Sequence, residues 1–197
     1  NSTDSNSALR KLLCKQTNLY GSNAIFLSIH NLPMMNLLLS AGATVRFYVR
    51  CISGQTSADA RWHDFAELVP YMPMDMVKVV LAAGCSTTRY YDSPLITCVQ
   101  TRRYDHLVEL LKAGFTPSLM LDYGNGFFRN DQPLLTECVR LDDKKSFHIL
   151  LEYGAEPNIK TLIYITQAYI DGALSLADGK YYSHELFNYG CSPSVRY

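Results

Sequence analysis

Five segments of the chain end alike: NLLLSAGATV, KVVLAAGCST, VELLKAGFTP, HILLEYGAEP and HELFNYGCSP. Each is an apolar stretch with helical spacing, then a glycine, then a small or turn-forming residue. The glycines are Gly42, Gly84, Gly114, Gly154 and Gly190. A glycine directly after a periodic apolar run is the expected helix stop, because it enters the left-handed region without a Cβ penalty. This self-similarity constrains the fold strongly. A single helical unit cannot bury its own apolar face, so units that repeat must stack.

A second apolar element precedes each ending: NAIFLSI (23–29), DFAELV (64–69), SPLITCV (93–99), PLLTECV (133–139) and LIYITQAYI (162–170). Each unit therefore reads as a short helix, a turn, a second helix and a glycine stop. The third unit is the most regular. Ser93 is its expected N-cap, and Pro94 falls in the first turn, where a missing N–H costs nothing. Leu95, Cys98 and Val99 share one face of the first helix. Leu107, Val108, Leu110 and Leu111 form the apolar face of the second.

The third unit resembles the ankyrin repeat. Ser93-Pro94-Leu95 matches the Thr-Pro-Leu opening of that family, and Cys98-Val99 its paired small residues. DHLVELLKAGF matches the second helix and its Gly-Ala ending. The resemblance covers roughly residues 20 to 192 and implies an all-α solenoid of helix-turn-helix units with enlarged connecting loops. The units run approximately 19–44, 62–86, 91–116, 131–157 and 160–192, within a single domain of residues 1–197. Residues 8–16, ALRKLLCKQ, read as the remnant helix of a preceding unit. The chain opens on Asn1 rather than Met, as expected of an excised fragment. The glycines are 42, 30, 40 and 36 residues apart (84−42, 114−84, 154−114, 190−154). Family spacing is about 33. The differences place insertions in the connections, chiefly 45–62 and 116–131. DYGNGFF (122–128) fits an enlarged hairpin, since Asn-Gly favours tight turns.

The register also assigns residues that would otherwise suggest chemistry. Cys98 and Cys138 each lie 16 residues before a capping glycine (114−98, 154−138). A small buried residue lets neighbouring helices approach there, and Cys serves as one. Cys85 and Cys191 directly follow a capping glycine. None of the six cysteines is in C-x-x-C spacing. Asp105-His106 reads as a helix start, with Asp favoured by the helix dipole. No Gly-rich loop carries the Lys-Ser/Thr of a phosphate cradle. No metal or cofactor is expected. The one enzymatic alternative is a cysteine-dependent site in the first insertion, built on Cys51, His63 and Asp64. A low-pKa thiol at Cys51 would alkylate far faster than an ordinary cysteine.

Lys+Arg and Asp+Glu are 18 each, so no uncompensated cationic surface for nucleic acid is expected. No apolar run reaches membrane-span length, and the polar start does not read as a signal peptide. An intracellular, cytoplasmic setting is expected. Aromatic and basic residues cluster in three connections: RFYVR (46–50), TRYYD (88–92) and DYGNGFFR (122–129). Tyr and Arg are enriched at interface hot spots. The expected function is therefore a protein-interaction module, an adaptor or substrate-recruiting domain that binds a protein or peptide on its concave and loop surface. Its contact residues would be Arg46, Tyr48, Arg89, Tyr90, Tyr91, Tyr123, Phe127, Phe128 and Arg129. Arg103 and Tyr104 of the interhelix turn would join them. The resemblance also allows an array of the ankyrin-repeat and SOCS-box type, without the box. A regulatory array of a larger enzyme, channel or pathogen effector is the other alternative. Phe47, Phe127, Phe128 and Trp62 have a second reading, as packing for the enlarged loops.

Overall fold

The structure, a computed structural model, describes residues 24–49, 61–85, 93–122 and 131–192. The fold is mostly helical, with two short antiparallel hairpins set into its connections. Residues 1–87 and 88–197 form two compact units.

In the first unit, α1 (Ala24–Leu27) and α2 (Leu32–Ser40) form a helical hairpin. The Asn31 side chain accepts from the Met34 amide at 3.0 Å and caps α2. Strands β1 (Arg46–Val49) and β2 (Arg61–Asp64) follow, with Arg46 opposite Asp64 and Tyr48 opposite Trp62. A 3-10 helix (Phe65–Tyr71) leads into α3 (Met74–Ala82). Ile25, Met35, Phe65 and Val77 are buried, and the rings of Phe26 and Phe65 meet edge to face at 6.5 Å. Two expectations are corrected here. The helix expected at 64–69 is a 3-10 helix whose first expected residue, Asp64, ends β2. Pro70 sits inside it, and a proline with no N–H and a fixed ring cannot occupy an α-helix interior cheaply. The ends of the 45–62 connection are strands rather than open loop. RFYV and RWH supply the aromatic and β-branched residues that favour them.

The second unit holds three helix pairs: α4 (Pro94–Gln100) with α5 (Tyr104–Lys112), α6 (Leu134–Arg140) with α7 (Lys144–Glu152), and α8 (Ile159–Ile170) with α9 (Leu176–Asn188). Helix α6 packs between α4 and α8, and α7 packs against α5. Strands β3 (Met120–Asp122) and β4 (Asp131–Pro133) pair in the connection between the first two pairs. The Ser93 hydroxyl caps α4, accepting from the Leu95 amide at 3.3 Å, with Pro94 at the first position as read from the sequence. Helix α8 starts three residues before the expected element, at Ile159, behind an Asn158 cap.

The capping glycines hold the register. Gly42, Gly84, Gly114, Gly154 and Gly190 all have φ between 85° and 95°. After α7, the Gly154 amide donates to Leu151 O at 3.0 Å and the Ala155 amide to Leu150 O at 2.8 Å, the paired bonds of a Schellman turn. In residues 88–197 the first helix of each pair ends the same way. Arg102 (φ 54°), Asp142 (φ 46°) and Gly172 (φ 71°) occupy the left-handed position. The amides that follow them donate to Cys98 O, Cys138 O and Ala168 O at 2.8–2.9 Å. Cys98, Cys138 and Ala168 thus share one register position, where small side chains let the pairs close up. The left-handed conformation costs Arg102 and Asp142 about 1–2 kcal/mol each. Contacts their side chains make with the next pair offset it.

Candidate partner-binding surface

Polar bonds cross from each helix pair of residues 88–197 to the next. The Gln100 amide donates to Glu137 Oε1 at 2.9 Å. Arg140 grips both carboxylate oxygens of the same glutamate at 2.7 and 2.8 Å, so this buried charge is fully engaged. Arg102 Nη2 donates to Leu141 O at 3.1 Å, capping the end of α6. Tyr104 donates its hydroxyl to Asp143 Oδ1 at 3.3 Å. One pair further on, Tyr182 donates to Asp142 Oδ1 at 2.9 Å and Lys144 pairs with Asp178. His148 lies between Glu152 and Glu185, one carboxylate on each ring nitrogen at 3.2 and 3.3 Å. Those that cross between pairs join residues 34 to 40 apart and hold the three pairs in one arrangement.

One of the expected contact residues, Tyr104, lies in this network. Tyr104 is half-buried: its hydroxyl is given to Asp143, and Lys145 Nζ sits 4.3 Å from its ring centre. Partial burial, reinforced by Asp143, raises its phenol above the usual range. Arg103 is exposed at the start of α5. Arg46 and Tyr48 are alternate residues of β1 in the first unit. Arg89, Tyr90, Tyr91, Tyr123, Phe127, Phe128 and Arg129 lie outside the described residues. So does Cys51, whereas His63 and Asp64 are consecutive positions of β2.

A shallow cleft of about 250 Å³, open mouth included, lies beside the β3–β4 hairpin. Pro133, Leu134 and Ala155 give it an apolar floor, and Ser118, Glu156 and Asn158 a polar rim. The Glu156 amide donates to the Ser118 hydroxyl at 2.9 Å, tying the connection after α5 to the turn after α7. The opening suits one small apolar side chain.

No family model matches the chain, and no curated protein does.

Among the described residues, no group of three or more His, Cys, Asp or Glu side chains is arranged to hold a metal ion. No described helix is long and apolar enough to cross a membrane. Burial keeps three of the described thiols, Cys98, Cys138 and Cys191, protonated and so poorly nucleophilic. Burial pushes Cys98 up to about 12 from an ordinary 9.0, and nearby Arg103 only partly opposes it. Burial raises Cys138 well above 9.0, with Asp143 and Glu137 adding to it, and burial raises Cys191 too. Burial, then its bond to Asp142, raises the Tyr182 phenol. All four groups keep their protons longer in the folded chain than in the unfolded one. Their stabilising effect is complete below the unfolded values, near pH 9 for thiols and 10 for the phenol, and is lost as pH rises through and beyond them. Stability should thus hold between pH 7 and 8 and fall above about pH 9. Each such group contributes a slope of about 1.4 kcal/mol per pH unit. Urea midpoints measured from pH 7 to 11 check this, and Cys98→Ala should flatten the fall. A midpoint that stays level to pH 11 would contradict the buried environments.

The sequence reading did not reach Glu137 or the Asp142-Asp143 pair. A signal was present: Asp142-Asp143 repeats the register of Arg102-Arg103, each 12 and 11 residues before a capping glycine (154−142 and 154−143; 114−102 and 114−103).

Proposed function

We propose that the chain is an ankyrin-type array that works as a protein-interaction module, presenting its connections to a protein or peptide partner. The observation that carries this reading is the repeated pair of left-handed turns. One follows each first helix at Arg102, Asp142 and Gly172, and one follows each second helix at Gly114, Gly154 and Gly190. A stack locked at both ends of each pair, and cross-linked by the polar bonds above, is a rigid display scaffold. Its connections carry Tyr and Arg, which combine large contact area with directed polar groups. The cleft beside the β3–β4 hairpin adds a pocket for one apolar side chain on the same connections.

Tyr91→Ala and Arg129→Ala should each weaken capture of the partner at least tenfold and leave the thermal unfolding midpoint unchanged within about 2 °C. Capture from lysate followed by titration with the identified partner measures the first effect, and calorimetry the second. Marked early unfolding of both variants would mean that these residues pack the loops, and the reading of the connections as a contact surface would be wrong.

A further inference from the structure

Two apolar strips on the last helix pair face away from the rest of their unit. On α8, Ile159, Ile163 and Ile170 recur at helical spacing and are 37%, 62% and 69% exposed. On α9, Leu176, Lys180 and Phe187 share one face, and its two apolar members are 54% and 45% exposed. The opposite side of each helix is the one that packs. Thr161 of α8 meets Thr136 of α6 at 3.2 Å, and Asp178 and Glu185 of α9 meet Lys144 and His148 of α7. Both strips therefore lie where a further helical layer would stack.

Register sharpens the contrast. Leu111, Leu151 and Phe187 each precede their capping glycine by three residues. In the two pairs that carry a following pair, this side chain is only 6% and 2% exposed. Phe187 is the same position left open, so the face continues an interface already built twice in this unit. Exposed apolar side chains at helical spacing on two helices of one pair call for a cover. The charge within the strip decides which. Lys180 stands near its middle. In a two-fold pairing of identical strips, the two Lys180 side chains would approach each other near the axis, which disfavours a second copy.

We propose that this face docks an acidic amphipathic helix of a partner protein, seated along the α8 and α9 strips with a carboxylate against Lys180. The α9 strip from Leu176 to Phe187 is about 16 Å long, three turns of a partner helix. This site is separate from the connections proposed above, and either can fail without the other.

The probe is a synthetic amphipathic helical peptide with a leucine stripe and glutamate flanks, compared with a matched peptide carrying lysine flanks. Titrated into the isotope-labelled chain, the glutamate peptide should shift the backbone amides of α8 and α9. The lysine peptide should bind at least tenfold more weakly. Ile163→Gln combined with Phe187→Gln should cost at least tenfold in affinity while preserving the circular dichroism spectrum. Lys180→Glu should reverse the preference between the two peptides. Equal binding of both peptides, binding of neither, or shifts confined to other elements would overturn the proposal. So would a sedimentation dimer that the double variant dissociates, because the occupant would then be a second copy.

Discussion

Phe147→Ala should destabilise residues 88–197 by about 4 kcal/mol, the typical cost of truncating a buried aromatic. Phe147 is fully buried in α7, and its ring meets Tyr182 of α9 edge to face at 4.9 Å. It thus joins the second and third helix pairs. Truncation removes the ring's own burial, leaves a cavity between two pairs, and deprives Tyr182 of its neighbour. Natural domains hold only about 5–15 kcal/mol in total, so this single change should consume a large share of the stability. With an m-value of about 2 kcal/mol/M, the urea midpoint should fall by about 2 M. A loss below 1 kcal/mol would mean that the interface collapses around the gap or is not as close-packed as described. The variants also separate the ring contact from the hydroxyl. Tyr182→Phe keeps the ring and removes only the bond to Asp142 Oδ1. Tyr182→Leu removes both. Coupling between Phe147→Leu and Tyr182→Leu, measured in a double-mutant cycle, should amount to about 1 kcal/mol. Coupling between Phe147→Leu and Tyr182→Phe should be near zero.

The positions that sequence reading recovered are those where a local rule acts within one helix. The capping glycines stand after apolar runs and take the left-handed conformation that only glycine enters cheaply. Ser93-Pro94 opens α4 because cap and first-turn chemistry are both local. Cys98 and Cys138 were legible as packing because each repeats the other's register, and both are buried. Reading failed where two strong signals overlapped or where partners lie far apart in the chain. Phe65–Tyr71 has helix-like apolar spacing, but Pro70 decides the outcome and gives a 3-10 helix. Arg102 and Tyr104 occupy a turn that looks solvated, and their partners Leu141 and Asp143 lie 39 residues away. No local pattern reports such a distance. Glu137 is the clearest case. It sits in a run otherwise made for burial, and only the fold brings Gln100 to it, beside its neighbour Arg140. For the candidate surface, the sequence named residue types at the connections. The structure shows instead how the helical pairs beneath part of them are braced.

Asp143→Ala should cost about 2–3 kcal/mol, more than an ordinary helix cap. Asp143 is the N-cap of α7, and its Oδ1 accepts from the Ser146 amide at 3.1 Å. Loss of a cap costs about 1 kcal/mol. Here the cap is buried, so the Ser146 amide would be left without a partner away from water, which adds about 1–3 kcal/mol. The Tyr104 hydroxyl would also lose its bond between the first and second pairs. Asp143→Asn retains an oxygen acceptor at the same place and should recover most of the loss, which ties the effect to the cap rather than to the charge. Ser146→Ala gives the opposite test. The Ser146 hydroxyl oxygen and Asp143 Oδ2 are buried with no hydrogen-bond partner. Removing an unsatisfied hydroxyl relieves a desolvation cost without breaking a bond, so Ser146→Ala should be neutral or stabilising. Urea denaturation of the three variants decides the matter. If Ser146→Ala is as damaging as Asp143→Ala, the hydroxyl has a partner that this geometry does not provide, and the cap argument fails with it. If only Asp143→Ala is damaging and Asp143→Asn is not, the buried cap is what orients α7 toward both of its neighbouring pairs.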